Sequence, residues 1–182
     1  GSSLLIKGKL TVKAGAIISV NSNGKLIFDQ DIPWITDPTT GNSVRDIANY
    51  LNIEAGAKLR LVGTDPSFKN QTLLEIRKET IFKDADQDIF DEVLIQNGAL
   101  EIAPQAFLFV ASPLSIIDSE IRSTDPQNFH DGLRIWNGNT INYLRRVNIK
   151  NGHPGVLVSG LGSRGHTEFR DCTIELNWDG LK

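Results

Sequence analysis

"VNIKNGHPGVLV" (147–158) and "CTIELNWDGLK" (172–182) differ at most aligned positions, yet their apolar residues and glycines recur at one constant shift. When Gly155 is set on Gly180, every matched position lies 25 residues further along the chain. The matched pairs are Leu144 with Phe169, Val147 with Cys172, Ile149 with Ile174, and Val156 with Leu181. The pattern predicts two copies of one structural turn.

An earlier copy of this turn lies at 116–135 and contains a longer loop at 123–129. Its apolar positions and its glycine keep the same columns, at shifts of 28 and then 23 residues. The matched pairs are Ile116 with Leu144, Ser119 with Val147, Ile121 with Ile149, Gly132 with Gly155, Leu133 with Val156, and Ile135 with Val158. In this alignment Cys172 is predicted to be a small core residue.

The front of the chain carries a second repeat. "LTVKAGA" (10–16), "LNIEAGA" (51–57) and "VLIQNGA" (93–99) align on Gly15, Gly56 and Gly98, although the apolar phase slips by one residue after the last glycine. Alternation with period two, bounded by Gly, Asn and Asp, predicts strands. The best helical candidate is "SVRDIANYL" (43–51), with Ser43 as its N-cap.

Short strands that recur every 20–28 residues between Gly and Asn turns indicate a solenoid, because one coil cannot bury its apolar face alone. Coils stacked at about 4.8 Å would align the apolar columns into a continuous core. We therefore expect an all-β parallel β-helix, with one possible short helix near 43–51. A less regular section at 1–110 should precede regular coils at 111–182.

"HDGLRIWNGNTINYLRRVNIKNGHPGVLVSG" (130–160) and "TEFRDCTIELNWDGLK" (167–182) resemble the repeats of right-handed parallel β-helix proteins of the pectate-lyase-like superfamily. The resemblance covers about residues 114–182. The front is similar to the G8 domain of extracellular and cell-surface proteins, through "GKLIF" (24–28) and "LNIEAGAKLRLVGTDPSF" (51–68). The first resemblance implies a right-handed coil, and both resemblances imply an extracellular or cell-surface protein that handles or bears polysaccharide.

The aligned columns define a candidate ligand site on one edge of the solenoid. His130, His153 and Trp178 stand two residues before the aligned glycines, and Asp131 and Asp179 stand one residue before them. Aromatic rings that stack on sugars, beside carboxylates that accept hydroxyls, would form a glycan platform. One alternative is plain Asp-Gly turn chemistry. The other is an inverting glycosidase, since carboxylates two rungs apart would be about 9.6 Å from each other.

A candidate calcium site lies in "KDADQDIFDE" (83–92), where Asp84, Asp86 and Asp88 occupy alternate positions. Carboxylate oxygens are the ligands that calcium prefers, although the glycine and glutamate of an EF-hand loop are missing from their positions. The alternative is a loop of solvated acids. Basic residues that a lyase would use show no diagnostic spacing. Arg145 and Arg146 are adjacent, so they cannot both face one side of a strand, and one of them is expected in a turn.

The formal net charge of −3 and the lack of a basic stripe argue against nucleic acid as a partner. No apolar run reaches the roughly 18 residues of a membrane span. We expect an extracellular or cell-surface module with a structural, adhesive or glycan-contacting role and no catalysis of its own. The alternative is a polysaccharide lyase or glycoside hydrolase, or a fragment of one. Because "NWDGLK" (177–182) stops partway through a coil, further coils or another chain are expected to cover that end.

Overall fold

A computed structural model describes residues 2–21, 23–29, 34–45, 51–54, 56–63, 72–78, 80–84, 93–125, 127–128, 130, 132–136, 141–153, 155–160 and 165–175. These residues form strands and turns but no helix, and so include no helix that could cross a membrane. Both large sheets are parallel throughout, and one of them curls strongly. The all-β prediction is confirmed, and the architecture is that of a parallel β-solenoid.

The strands are short, and most of them run for three to five residues. In chain order they are β1 (Ser3–Ile6), β2 (Leu10–Val12), β3 (Ile17–Asn21), β4 (Lys25–Phe28), β5 (Trp34–Thr36), β6 (Ser43–Arg45), β7 (Leu51–Ile53), β8 (Lys58–Val62), β9 (Thr72–Ile76), β10 (Thr80–Asp84), β11 (Val93–Gln96), β12 (Gly98–Ile102), β13 (Leu108–Ala111), β14 (Leu114–Ser123), β15 (Leu133–Trp136), β16 (Ile141–Lys150), β17 (Val156–Ser159), β18 (His166–Arg170) and β19 (Thr173–Glu175).

The strands stack into three faces. The first face is the six-stranded sheet β2-β7-β10-β13-β15-β17. The second face comprises β3, β8, β11, the first halves of β14 and β16, and β18. The third face comprises β1, β4, β9, β12, the second halves of β14 and β16, and β19. Because β14 and β16 each run through both the second and the third face, these two faces form one curled sheet of 11 strands.

The core is built from apolar columns that run along the solenoid, one on each face. These side chains are inward in successive coils, and the central ones are completely buried. The columns are Leu10–Leu51–Phe82–Val110–Ile135–Val158 on the first face, Val20–Leu61–Ile95–Ile116–Leu144–Phe169 on the second, and Leu26–Leu74–Leu100–Ile121–Ile149–Ile174 on the third. Fully burying each large apolar side chain contributes about 1.5–3 kcal/mol, so the columns dominate stability.

The predicted register of the later coils is confirmed. Leu144 pairs with Phe169, and Ile149 pairs with Ile174, as the shift of 25 requires. Ile116 pairs with Leu144, and Leu133 pairs with Val156. Cys172 is half-buried, packs against the core and donates its thiol proton to the Leu144 carbonyl at 3.2 Å, so it is a small packing residue.

The corner between the second and third faces is made by one residue with positive φ in each of four successive coils. We call these four residues the tight corner: Asn97 (φ 50°), Asp118 (φ 49°), Arg146 (φ 51°) and Asp171 (φ 54°). A left-handed residue turns the chain sharply and reverses which side the next side chains face. The prediction that one of two adjacent arginines lies in a turn is therefore confirmed for Arg146.

The tight corner corrects one repeat that the sequence predicted. "LTVKAGA" and "LNIEAGA" are equivalent, since Leu10 pairs with Leu51 and both glycines have φ near 70°. "VLIQNGA" is not their third copy, because Val93 pairs with Leu59 on the second face. There Asn97 takes the positive φ and Gly98 lies inside β12, which explains the one-residue slip in apolar phase.

The short helix expected near 43–51 is wrong at its start. Ser43–Arg45 form β6, which pairs antiparallel with β5, so that Val44 lies opposite Ile35. This pairing satisfies the backbone of Ser43 as a strand residue instead of an N-cap, and a β-branched valine suits that state. Residues 46–50 lie outside the described part of the chain.

Candidate functional site

The predicted ladder of ring side chains is not a single exposed surface. The backbones of His130 and His153 are neighbours, since the His153 amide donates to the His130 carbonyl at 2.9 Å. The His130 side chain, however, is completely buried, and its Nε2 lies 3.3 Å from the Lys150 carbonyl oxygen. His153 is exposed. A buried imidazole is out of reach of a ligand from solvent, so the two rings do not act together.

The remaining residues of that ladder, Asp131, Trp178 and Asp179, lie outside the described residues. The same holds for Asp86 and Asp88 of the candidate calcium site. Asp84 ends β10, where its backbone pairs with Ile53. Within the described ranges there is no group of three or more His, Cys, Asp or Glu side chains arranged to hold a metal ion.

The structure draws attention instead to an open cleft on the second face, across β14, β16 and β18. We call it the second-face cleft, and its volume is about 310 Å³. Its outward side chains form two columns, because residues at alternate positions of paired parallel strands lie side by side. The columns are Ser115–Tyr143–Glu168 and Ile117–Arg145–Arg170.

The cleft combines a flat aromatic ring with charged and polar groups. The Tyr143 residue is 41 % exposed, and Arg145 and Arg170 are also exposed. Ser115 and Ile117 lie deeper, because Ser115 is only 4 % exposed and Ile117 is half-buried. Glu168 supplies the only carboxylate among the described residues that line the cleft. These side chains suit ligand binding. Glu168 can accept hydrogen bonds from hydroxyl groups, and the arginines can donate hydrogen bonds to an anion, beside an aromatic ring on which a ligand can stack.

Arg145 and Arg170 are paired directly in register, one above the other. Among the described residues, neither arginine forms an ion pair with Glu168, which lies in the neighbouring column. Arg170 is 3.8 Å from the Asp171 carboxylate, but both side chains are more than 60 % exposed, so solvent screens that contact. The charge of Arg145 adds to the hydrogen bonds from Arg146 in lowering the pKa of Asp118, although Arg145 itself forms no ion pair among the described residues. The cleft therefore presents two guanidinium groups that Asp118 and Asp171 compensate only in part.

The third face differs, because its outward charges neutralise one another. Lys25 contacts Glu75 at 2.8 Å and Glu101 at 3.9 Å, and so bridges two glutamates that are adjacent in register. In the following coils Arg122 contacts both Glu101 and Glu120. Lys150 also contacts Glu120, at 3.2 Å. Among the described residues of this face, Lys25, Arg122 and Lys150 each contact two glutamates.

The tight corner fixes which arginine enters the cleft. Arg146 turns away at φ 51° and hydrogen-bonds both carboxylate oxygens of Asp118, one of them at 2.6 Å. The hydrogen bonds from Arg146 hold the pKa of Asp118 below its usual range, although partial desolvation opposes them. With Arg146 held in this way, the preceding residue Arg145 faces the second-face cleft.

A buried polar side chain supports the cleft from below. Asn142 is completely buried, and its Oδ1 accepts a hydrogen bond from the Leu114 amide at 3.2 Å. Its Nδ2 lies 3.3 Å from Thr167 Oγ1 in the next coil. Because Asn142 immediately precedes Tyr143, these bonds tie the aromatic position to the strands on either side of it.

The sequence contained the signal for the second-face cleft in its alternation. With Leu144 and Phe169 assigned to the core, their neighbours on either side must face out at the same shift of 25 residues. Residues beside the aligned glycines carry the more obvious sequence pattern, and Tyr143 is not one of them. Trp136, which is 44 % exposed on the first face and packs against Gly160, was missed in the same way.

Comparison with family models finds no match for this chain. Comparisons with the curated proteins and with the solved structures find no match either. What the protein does is therefore inferred from the geometry and chemistry of its own surfaces.

Proposed function

We propose that the chain is a non-catalytic extracellular or cell-surface module that contacts glycans through the second-face cleft. The observation that carries this proposal is the cleft itself, in which an exposed tyrosine lies beside two arginines and a glutamate. Polysaccharide is the ligand class that suits an open surface with one aromatic platform and several hydrogen-bonding groups. The extracellular setting and the adhesive role rest on the resemblance of the repeats to exported β-helix and G8 proteins.

The proposed contact divides the work among the side chains. The ring of Tyr143 would stack on the C–H face of a sugar, while Glu168 would accept hydrogen bonds from its hydroxyl groups. The arginines donate planar pairs of hydrogen bonds to oxygen atoms. Since the cleft spans three coils, a ligand lying along the solenoid axis would meet equivalent positions about 4.8 Å apart.

The test is binding to immobilised oligosaccharides by the purified chain and by variants at Tyr143. We expect Tyr143→Ala to weaken binding roughly ten-fold, because the stacking surface is lost, and Tyr143→Phe to retain most of it. Trp136→Ala is the matched control, because it removes another exposed aromatic ring from a different face. Equal losses from Tyr143→Ala and Trp136→Ala, or no loss from either, would contradict the proposed site.

The enzymatic alternative is an outcome of the same experiment. Incubation with the polysaccharides that bind, followed by measurement of new reducing ends and of unsaturated products, reports a glycoside hydrolase or a lyase respectively. Release of product that Glu168→Gln abolishes would replace the binding module with an enzyme. We expect retention without cleavage, because paired carboxylates at catalytic separation are not among the described lining residues.

A further inference from the structure

We infer that the second-face cleft selects saccharides that carry a single anionic group, and that it disfavours uniform polyanions. This inference rests on the proposed function and names the ligand class for the same site. Arg145 and Arg170 form a clamp for the anion, and Glu168 sets the limit of one negative charge. Carboxylate and sulfate ester share the relevant chemistry, since each presents oxygens that accept paired hydrogen bonds from guanidinium.

The two arginines of the cleft stand in direct register. Like charges directly opposite on neighbouring strands are destabilising. Arg145 and Arg170 occupy that position in β16 and β18, and their side chains line the same cleft. An anion placed between them would relieve the repulsion and receive hydrogen bonds from both, so the site is more favourable occupied than empty.

On the third face of the same molecule, adjacent like charges have counter-charges. Where two glutamates are adjacent there, Lys25 lies between them and contacts both. Glu120 likewise contacts both Arg122 and Lys150. On the third face, the glutamates that lie close to one another are thus neutralised by basic side chains. Within the described residues of the cleft, Arg145 forms no ion pair and only contributes its charge to the lowered pKa of Asp118, whose hydrogen bonds come from Arg146, while Arg170 contacts only the exposed Asp171.

Glu168 is the acidic side chain of the cleft. It stands two residues before Arg170 on β18, so the two side chains leave the same side of the strand about 6.6 Å apart. A carboxylate at this distance accepts hydrogen bonds from hydroxyl groups of the sugar that bears the anion, or of its neighbour. It repels a second anionic group on the next sugar. The site is therefore polar along the strand, with its negative end at Glu168.

The experiment compares lactose, sialyllactose, sulfated lactose and a galacturonate trimer, titrated into the purified chain by calorimetry at low ionic strength. We expect sialyllactose or sulfated lactose to bind roughly ten-fold more tightly than lactose. We expect the galacturonate trimer to bind more weakly than the singly charged sugars. Arg145→Gln and Arg170→Gln should each remove that ten-fold preference. Arg77→Gln, which removes a guanidinium group just after β9 on the third face, should leave it intact. Glu168→Gln should improve binding of the trimer.

The outcomes separate the two proposals. If lactose binds as tightly as its charged derivatives and Tyr143→Ala abolishes binding, the glycan site stands and the anionic selectivity is overturned. If the trimer binds best and Glu168→Gln has no effect on it, the limit of one charge is overturned. If none of the four sugars binds, both proposals fall. Preference for sialyllactose over sulfated lactose, or the reverse, identifies which anion the arginines hold.

Discussion

Replacing Gly63 with alanine tests the stacking of coils at one point. Gly63 follows β8, and its amide donates to the Gln96 carbonyl of the next coil at 2.9 Å. A Cβ added at Gly63 would lie only 2.1 Å from the Asn97 carbonyl oxygen, whereas ordinary van der Waals contact begins at 3.4 Å. The two coils would have to separate locally by about 1.3 Å, more than a quarter of their spacing of about 4.8 Å.

The expected cost of Gly63→Ala follows from that displacement. It breaks the bond from the Gly63 amide and the bond from Asn97 Nδ2 to the Gly63 carbonyl, which is 3.3 Å long. Each contributes about 1 kcal/mol, and overpacking adds about 1–3 kcal/mol. The lower entropy of the unfolded chain offsets about 0.4–1 kcal/mol of this. We expect a net loss of roughly 2–5 kcal/mol in the free energy of unfolding.

Urea denaturation followed by tryptophan fluorescence measures this loss, with Gly8→Ala as the matched control. A Cβ at Gly8 would meet no atom within 4 Å, so that variant should be unchanged or stabilised by up to about 1 kcal/mol. If the two variants unfold at the same urea concentration with the same slope, Gly63 does not lie against Asn97. The assigned register of the second face would then be wrong at that coil.

The remaining predictions concern acid stability and the core. Burial raises the pKa of Glu75, but hydrogen bonds from Lys25 and Arg77 outweigh burial and lower it overall. The stability that Glu75 contributes is therefore present above the unfolded pKa of about 4.3 and is lost as pH falls through the lower folded pKa. Glu75→Gln should flatten the decline in the free energy of unfolding that is measured below about pH 4.3. Phe82 is completely buried and makes an edge-to-face contact with Phe28 at 5.2 Å between ring centroids. Phe82→Ala should lower the free energy of unfolding, measured by urea denaturation, by about 3–5 kcal/mol. Phe109→Ala, at a half-buried outward position of the neighbouring strand β13, should lower it clearly less. Equal losses would refute the assignment of Phe82 to the inward column.

The sequence predicted the later coils well because one physical requirement governed them. Each coil must place an apolar residue against the same column, so Leu144, Phe169 and their equivalents had to recur at fixed shifts. The front copy at 93–99 misled for a related reason. The sequence suggests Gly98 as the turn residue, whereas Asn97 adopts the left-handed conformation at the corner between the second and third faces. The strand before it therefore lies on the second face, and not on the first face with 10–12 and 51–53.

The cleft was harder to predict because outward positions carry no periodic signal of their own. Tyr143 and Glu168 share a column only after the inward residues have been fixed, and their side-chain types differ completely. His130 shows the opposite error. Its place beside an aligned glycine suggested an exposed edge, but a local change of register pairs its backbone with Gly152, and its side chain is buried.

The tight corner has a consequence for how such a chain tolerates change in length. From β11 onward a single left-handed residue carries the chain from the second face to the third, so this edge restores the same phase in every coil. The other two edges are not held to one length: the connection from the third face back to the first shortens from 124–132 after β14 to 151–155 after β16. We expect that residues inserted at those edges leave the next coil aligned. A new peptide segment could then be grafted there without shifting the side chains of the second-face cleft.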